Sequence, residues 1–194
     1  MRSRAYTGGR TLVMSLIVAL ALAGCGGGGG GGGNGDPGPG PGPGPTPQPT
    51  LSFTPESVPA TTDLLALALN TSESSGSTVV LDVMVNSVAT GAVSGLSADI
   101  RFDATKMTYQ GFEADGAGVG VALASPLEND PSVVILGVHA VKASTGRLGK
   151  LRFTLNSGTV SGQLTMLSTE YIGAGGSPVA SPKLSGRGGT VTLS

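Results

Sequence analysis

Apolar and polar residues alternate with a period of two along most of the chain from Leu64 onward. The alternation is clearest in residues 79–86, 96–103 and 150–155. Successive side chains of a β-strand point to opposite faces, so this pattern predicts strands with one buried face each. No window shows a comparable helical period. The folded part of the chain is therefore predicted to be all-β.

Turn-rich segments divide this region into nine predicted strands. They lie near residues 64–70, 78–86, 95–103, 106–113, 118–125, 132–141, 147–156, 162–172 and 189–194. Nine short strands with one apolar face each require two sheets that pack face to face, which predicts a β-sandwich. Residues 51–194 are assigned to this single domain.

The sequence predicts which side chains face the core in two of these strands. In the fourth, Phe112 is out of phase with Met107 and Tyr109, and Gly111 is expected to form a bulge that returns Phe112 to the core. In the sixth, Val134, Leu136, Val138 and Ala140 form the more apolar face. We therefore expect His139 to point outward.

The N-terminal residues have the features of a targeting segment. Three arginines, at positions 2, 4 and 10, precede an apolar run over residues 11–21, which is too short to span a bilayer, where about 20 residues are needed. The run ends in Leu-Ala-Gly-Cys at residues 22–25, which resembles the lipobox of bacterial lipoproteins. The resemblance implies a lipoprotein signal peptide over residues 1–24, cleavage between Gly24 and Cys25, and a lipid on Cys25. The alternative is a general secretory signal that happens to end in cysteine.

Residues 25–50 are predicted to be a disordered Gly/Pro tether that begins at the lipidated cysteine. Eight consecutive glycines are followed by a run of alternating proline and glycine, a composition typical of spacers. Gly26 follows Cys25, and by resemblance to the sorting of enteric lipoproteins this implies the outer membrane. The expected location is the bacterial cell envelope, with the membrane contacted through the lipid.

Charge and composition exclude several functions. Residues 1–24 contain three of the 11 basic residues and no acidic one, so the rest of the chain has 8 basic and 12 acidic residues, a net charge of −4, with no basic run. This argues against nucleic-acid binding. A single cysteine and a single histidine argue against a metal centre, and no cofactor is predicted.

Catalysis is not expected. His139 lies within a predicted strand and the sequence contains no GxSxG motif. Glu113, Glu128 and Asp130 are candidates for a hydrolase pair or for calcium ligands. No calcium-loop motif accompanies them, and we expect solvated loop positions.

Two segments resemble the cohesin domains of bacterial cellulosomes. Residues 101–107 (RFDATKM) have the aromatic-Asp pattern that precedes a strand in cohesins, with Ala104 where that family often has proline. Residues 149–153 (GKLRF) resemble the late hairpin of the same family. The resemblance covers residues 64–194 and implies a nine-stranded jelly-roll β-sandwich, related in fold to cellulose-binding modules.

The resemblance also implies a binding face. In cohesins the sheet that contains the third and sixth strands binds the partner, which here selects Ser97, Asp99, Arg101 and His139. The expected partner is a dockerin-like protein. From the residues alone the same charges are better explained as an exposed ladder in which Arg101 pairs with Asp99 or Asp103, worth under about 1 kcal/mol per pair.

Two other functions stay open at this point. A carbohydrate-binding module would share the fold, although the chain lacks the tryptophan typical of polysaccharide platforms. A structural component of the envelope would need no discrete ligand.

Overall fold

The computed structural model describes residues 49–57, 63–89, 93–115, 119–180 and 182–194, which contain strands and no helix. The strands are β1 (Leu51–Pro55), β2 (Leu64–Leu69), β3 (Thr78–Asn86), β4 (Gly95–Phe102), β5 (Met107–Ala114), β6 (Val119–Leu127), β7 (Asp130–Val141), β8 (Gly146–Leu155), β9 (Ser161–Ile172), β10 (Pro178–Val179), β11 (Ser185–Arg187) and β12 (Gly189–Leu193). No helix in these ranges is long and apolar enough to cross a membrane. The predicted signal peptide, Cys25 and nearly all of the tether lie outside the described residues.

The strands form two sheets. The larger has the order β1-β12-β9-β4-β7-β6, with β10 beside β9, and the smaller has the order β11-β2-β3-β8-β5. The pairs are antiparallel, with the exception of β11 and β2, which run parallel. One apolar cluster with residues from both sheets fills the space between them. The predicted all-β sandwich is confirmed.

The nine predicted strands are all present, with boundaries within two residues. Three further strands were not predicted. β1 contains Pro55 and only two large apolar residues, Leu51 and Phe53, which pack against the core while the strand pairs with β12. β10 and β11 are two and three residues long, too short for any alternation to be visible. These three strands are held by pairing with neighbours in the sheets and not by a pattern of their own.

Aromatic rings occupy the middle of the core. Phe153 on β8 is fully buried and meets Phe102 on β4 edge to face, with 5.3 Å between ring centroids. Tyr109 on β5 contacts the same ring at 5.5 Å. Since Phe102 and Phe153 belong to different sheets, this contact joins the two layers.

The predicted bulge in β5 is confirmed. The pairing of β5 with β8 shifts register between Tyr109 and Gly111, and Gly111 has a φ of 145°. Phe112 consequently packs against the core. A Cβ on Gly149 would lie 2.4 Å from the Phe112 ring, so glycine at that position makes room for the returned side chain.

The apolar face of β7 ends one position earlier than predicted. Val134, Leu136 and Val138 are buried, but Ala140 is exposed and has a φ of 54°. Its backbone N–H donates to the Ser94 carbonyl at 2.8 Å. The turn to left-handed backbone at the end of the strand breaks the alternation, while His139 is exposed as expected.

A loop over residues 70–77 folds across the outer side of the smaller sheet. Glu73 in this loop accepts hydrogen bonds from Lys150 at 2.5 Å and from Arg152 at 2.7 Å. These two bonds, that from Lys150 first, lower the pKa of Glu73 below its ordinary value of 4.5. The ion pairs cover part of β8, and Val80 on the outer side of β3 is fully buried beneath the loop.

Tyr171 stabilises the end of the sandwich where β2 begins and β3 ends. Its ring is buried, and its hydroxyl donates to the Asp63 carboxylate at 2.9 Å and accepts the Ala89 N–H at 2.8 Å. Burial, above the other influences, raises the pKa of this hydroxyl to about 12. The neutral phenol therefore links β9 to two loops of the chain.

Candidate functional site

The outward side of β9, β4, β7 and β6 carries all four residues selected from the sequence; we call it the outer face. Ser97, Asp99 and Arg101 point outward from β4 because the alternating residues at positions 96, 98 and 100 fill the core. In the pairing of β4 with β7, Gly95 lies opposite His139, Ser97 opposite Gly137, Asp99 opposite Ile135 and Arg101 opposite Val133. The structure therefore brings Ser97, Asp99, Arg101 and His139 onto one face.

The ion pairs of this face differ from the expectation. Arg101 pairs with Asp130 at the start of β7, 3.4 Å away, and with neither Asp99 nor Asp103. The residue directly opposite Arg101 on β7 is Val133, and Asp130 precedes it by three residues. The long Arg101 side chain therefore reaches along the strand pair to the carboxylate at the start of β7.

Asp130 is itself held in place by a neighbouring residue of β7. Its carboxylate accepts the Ser132 N–H at 3.1 Å and also the Ser132 hydroxyl. These bonds, foremost that from the hydroxyl, and the nearby Arg101 lower the pKa of Asp130. The ionised Asp130 thus orients the Arg101 guanidinium, although both side chains stay substantially exposed.

Asp99 and Asp103 have separate surroundings. Asp99 accepts the Ser168 hydroxyl of β9 at 2.9 Å, which aims its carboxylate along the outer face. Asp103 lies beyond the end of β4, accepts bonds from Thr105 and pairs with Lys106 at 3.6 Å. The bond from the Thr105 hydroxyl is the first cause of its lowered pKa. Asp103 therefore belongs to the turn and not to the face.

Sequence reasoning missed a further carboxylate, Glu170. It lies on β9 opposite Ser97, close to Ser168, the partner of Asp99. Within the described ranges neither Asp99 nor Glu170 has a salt bridge. The middle of the outer face consequently offers two carboxylates to an incoming cation.

Sequence reasoning also missed the apolar half of the face. Val121 and Leu123 on β6 are 59% and 57% exposed, while the small Ala122 and Ala124 of the same strand pack against the core. The larger residues of β6 thus face outward, the reverse of the usual order. The sequence of residues 119–127 does show Val and Leu alternating with smaller residues. Whether the large or the small side chains face the core depends on what lies beneath the strand.

Tyr109 explains why small residues face inward there. Its ring approaches β6 from the opposite sheet, and its hydroxyl donates to the Ala124 carbonyl at 3.0 Å. A larger inward side chain would displace this ring. β6 is an edge strand of its sheet, so this bond also fixes a strand that has a neighbour on one side only.

The apolar half contains a shallow depression of about 350 Å³. Its lining residues come from all four strands of the face and include Ser97, Val121, Leu123, Gly137, His139 and Ile172. Aliphatic walls on one side and polar groups on the other suit a mixed ligand surface.

The outer face combines ionic, hydrogen-bonding and apolar side chains. In the described part of the chain, no group of three or more His, Cys, Asp or Glu side chains is placed to hold a metal ion. Contrary to the expected loop positions, Glu113 lies on β5 and Asp130 is the first residue of β7. Glu113 pairs with Arg152 and Asp130 with Arg101, so these two carboxylates have separate partners. The face offers hydrogen bonding, ion pairing and apolar contact.

Comparison with known proteins supports the fold. A chain of the complex between CaCohA2 and a variant of CaDoc0917, solved at pH 5.5, aligns with a TM-score of 0.54 and 19% identity, covering 69% of this chain and 100% of that chain. CaCohA2 comes from Clostridium acetobutylicum. The described domain has a cohesin-like fold.

Two other structures align at lower similarity. The sixth cohesin of scaffoldin B from Acetivibrio cellulolyticus, solved with a Cel5 dockerin, has a TM-score of 0.48 and 17% identity, with 66% of this chain and 97% of that chain covered. The Coh-OlpC–Doc435 complex from Clostridium thermocellum has a TM-score of 0.45 and 13% identity, with 68% and 96% covered. No protein-family model and no curated protein matches the sequence.

Proposed function

We propose that the domain is a protein-binding module that holds a dockerin-like partner on its outer face. The observation that carries the proposal is the pairing, on one exposed sheet surface, of an apolar half at β6 with a carboxylate-bearing centre at Asp99 and Glu170. Protein interfaces combine an apolar patch that excludes water with charges that set register. The cohesin-like fold supports the same function, since the aligned CaCohA2 structure is a complex with CaDoc0917.

The aromatic residues argue against a glycan as the partner. A polysaccharide platform needs exposed, coplanar aromatic rings, and the chain has no tryptophan. In the described ranges Phe102, Phe153 and Tyr171 are buried, and the other aromatic side chains are half-buried. The outer face has aliphatic side chains where such a platform would have rings.

A double substitution on β4 tests the proposal. We expect Asp99→Ala with Arg101→Ala to weaken binding of a dockerin partner by about 10- to 30-fold, because a carboxylate of the centre and a second charged side chain of the same strand are removed at once. The dissociation constant is measured against immobilised dockerin modules, beginning with CaDoc0917 and including those with duplicated calcium loops from the same genome. The melting temperature is expected to stay nearly unchanged because both side chains lie on the surface.

The control is Ser52→Ala with Thr54→Ala, two exposed positions of β1 in the same sheet. The control pair should bind like the original chain. Binding that survives the β4 double substitution would contradict the proposal, as would binding of cellohexaose with no dockerin bound.

We also propose that the module is anchored to the envelope through a lipid on Cys25. Leu-Ala-Gly-Cys at residues 22–25 and the absence of any other cysteine from the sequence support this. Several acyl chains on one residue, at about 0.8 kcal/mol per buried CH₂, anchor a protein firmly. The tether would then carry the domain clear of the lipid headgroups of the outer membrane.

Replacing Cys25 by serine is expected to abolish lipid attachment and to leave an unprocessed precursor. Radiolabelled palmitate incorporation and the mobility of the chain on gels report the two effects. Palmitate incorporation equal to that of the original chain would contradict the anchoring proposal and leave the binding proposal intact.

A further inference from the structure

Gly137 lies in the depression of the apolar half of the outer face, and no contact in the fold requires glycine at this position. It lies within the 12-residue strand β7, between Ser97 on β4 and Leu123 on β6. Glycine inside a strand weakens it, since the backbone loses more freedom on folding and no side chain packs. Its φ lies outside the left-handed region, and a Cβ added to it would meet no atom within 4 Å.

At other glycines of the strands, the fold requires glycine because a side chain would collide or because the backbone has a positive φ. A Cβ on Gly95, beside the same depression, would lie 2.1 Å from the Val138 carbonyl oxygen. Gly111 has a φ of 145° and Gly149 lies against the Phe112 ring. In the described strands, Gly137 is the one glycine with both an ordinary φ and open space above it. Its missing side chain therefore serves the surface and not the interior.

The space above Gly137 has a definite chemistry. The exposed aliphatic side chains of Val121 and Leu123 bound it on the β6 side. The carboxylates of Asp99 and Glu170 lie further across the face, on β4 and β9. An acidic side chain would be repelled by them, and a cation would bind them instead of the aliphatic walls. The aliphatic walls on the β6 side therefore favour an aliphatic side chain above Gly137 over a charged one.

We propose that Gly137 is a specificity-determining position, which leaves room for one leucine or isoleucine side chain of the protein partner against Val121 and Leu123. The inference rests on the proposed function, because it names the chemistry of the partner at that site. The partner places a branched aliphatic side chain in the depression, and its lysine or arginine side chain pairs with Asp99 and Glu170.

The first measurement uses a probe that does not depend on the identity of the partner. The full chain, ¹⁵N-labelled and held in detergent micelles, is titrated with N-acetyl-leucine methylamide and, as the control, with N-acetyl-alanine methylamide. We expect the leucine probe to shift the amide signals of Gly137, Leu123 and Ser97 several-fold more than the alanine probe does. Equal shifts with both probes, or no shift on this face, would overturn the inference.

The second measurement uses variants whose side chains fill the space above Gly137. Gly137→Val is expected to abolish the response to the leucine probe and Gly137→Ala to reduce it, while the melting temperature stays equal or rises. Gly95→Val is the contrasting variant, expected to melt lower because its side chain collides with the backbone of β7. A Gly137→Val chain that melts clearly below the original would show that the fold requires this glycine, and would reject the inference.

The two proposals fail in different ways. The Asp99→Ala with Arg101→Ala chain keeps the depression, so it should retain the leucine response while its binding to dockerin weakens. A leucine response without any dockerin binding rejects the proposed function alone. Dockerin binding that Gly137→Val leaves unchanged rejects the assignment of Gly137 alone.

Discussion

Replacing Phe153 by alanine is expected to lower the free energy of unfolding by about 3–5 kcal/mol, the usual cost of truncating a buried aromatic residue. The side chain is fully buried on β8. It holds Phe102 and Tyr109 edge to face, at centroid distances of 5.3 Å and 5.5 Å. Removing it leaves a cavity where the two sheets meet, and Tyr109 loses the ring that orients it toward β6. Chemical denaturation followed by far-UV circular dichroism measures the change.

The matched control is Val160→Ala, an aliphatic truncation at a side chain that is 66% exposed. Its effect should stay within about 0.5 kcal/mol, the range of ordinary surface substitutions. A loss below about 1 kcal/mol for Phe153→Ala would mean that its ring is not packed as described. Because Tyr109 bonds to Ala124 of β6, the same variant should also weaken partner binding at temperatures where it is still folded.

The period of two was sufficient to predict the central strands because each buries one face. Even the bulge at Gly111 followed from the sequence, since Phe112 was out of phase and glycine tolerates the backbone required. β1 and β11 could not be found in this way. Their positions depend on hydrogen bonds to β12 and β2, strands far away in the sequence.

The outer face was predictable only in part. Strand alternation places Ser97, Asp99 and Arg101 on one side, but the partner of Arg101 depends on where the start of β7 lies after folding. The exposed position of Leu123 depends on the ring beneath β6. The open space beside Gly137 could not be predicted from the sequence, for a different reason. A glycine in a strand gives no sign of whether the space beside it is filled until the neighbouring strands are placed.

Asn70 organises the loop over the smaller sheet, and its side chain makes three hydrogen bonds. The amide nitrogen donates to Asp82 at 3.1 Å, and the amide oxygen accepts the Ser72 hydroxyl at 2.7 Å and the Glu73 N–H at 3.2 Å. It is the one polar residue among those described that is buried to this degree. Glu73, positioned by it, then reaches Lys150.

Asn70→Ala is therefore expected to lower the free energy of unfolding by about 2–3 kcal/mol, at about 1 kcal/mol per lost bond. Ser75→Ala, an exposed change in the same loop, is the control and should be close to neutral. Hydrogen exchange at two amides distinguishes the loop from the core. The Val80 amide donates to the Ser74 hydroxyl at 2.9 Å, and its exchange should accelerate. Exchange of the Ile100 amide should change only with global stability. Unchanged exchange at Val80 would contradict the assigned role, because the loop would then keep its place without Asn70. The outer face lies on the other sheet, so binding of the proposed partner should persist in the folded fraction of this variant. Loss of that binding would indicate that the two sheets are coupled more tightly than their separate contacts imply.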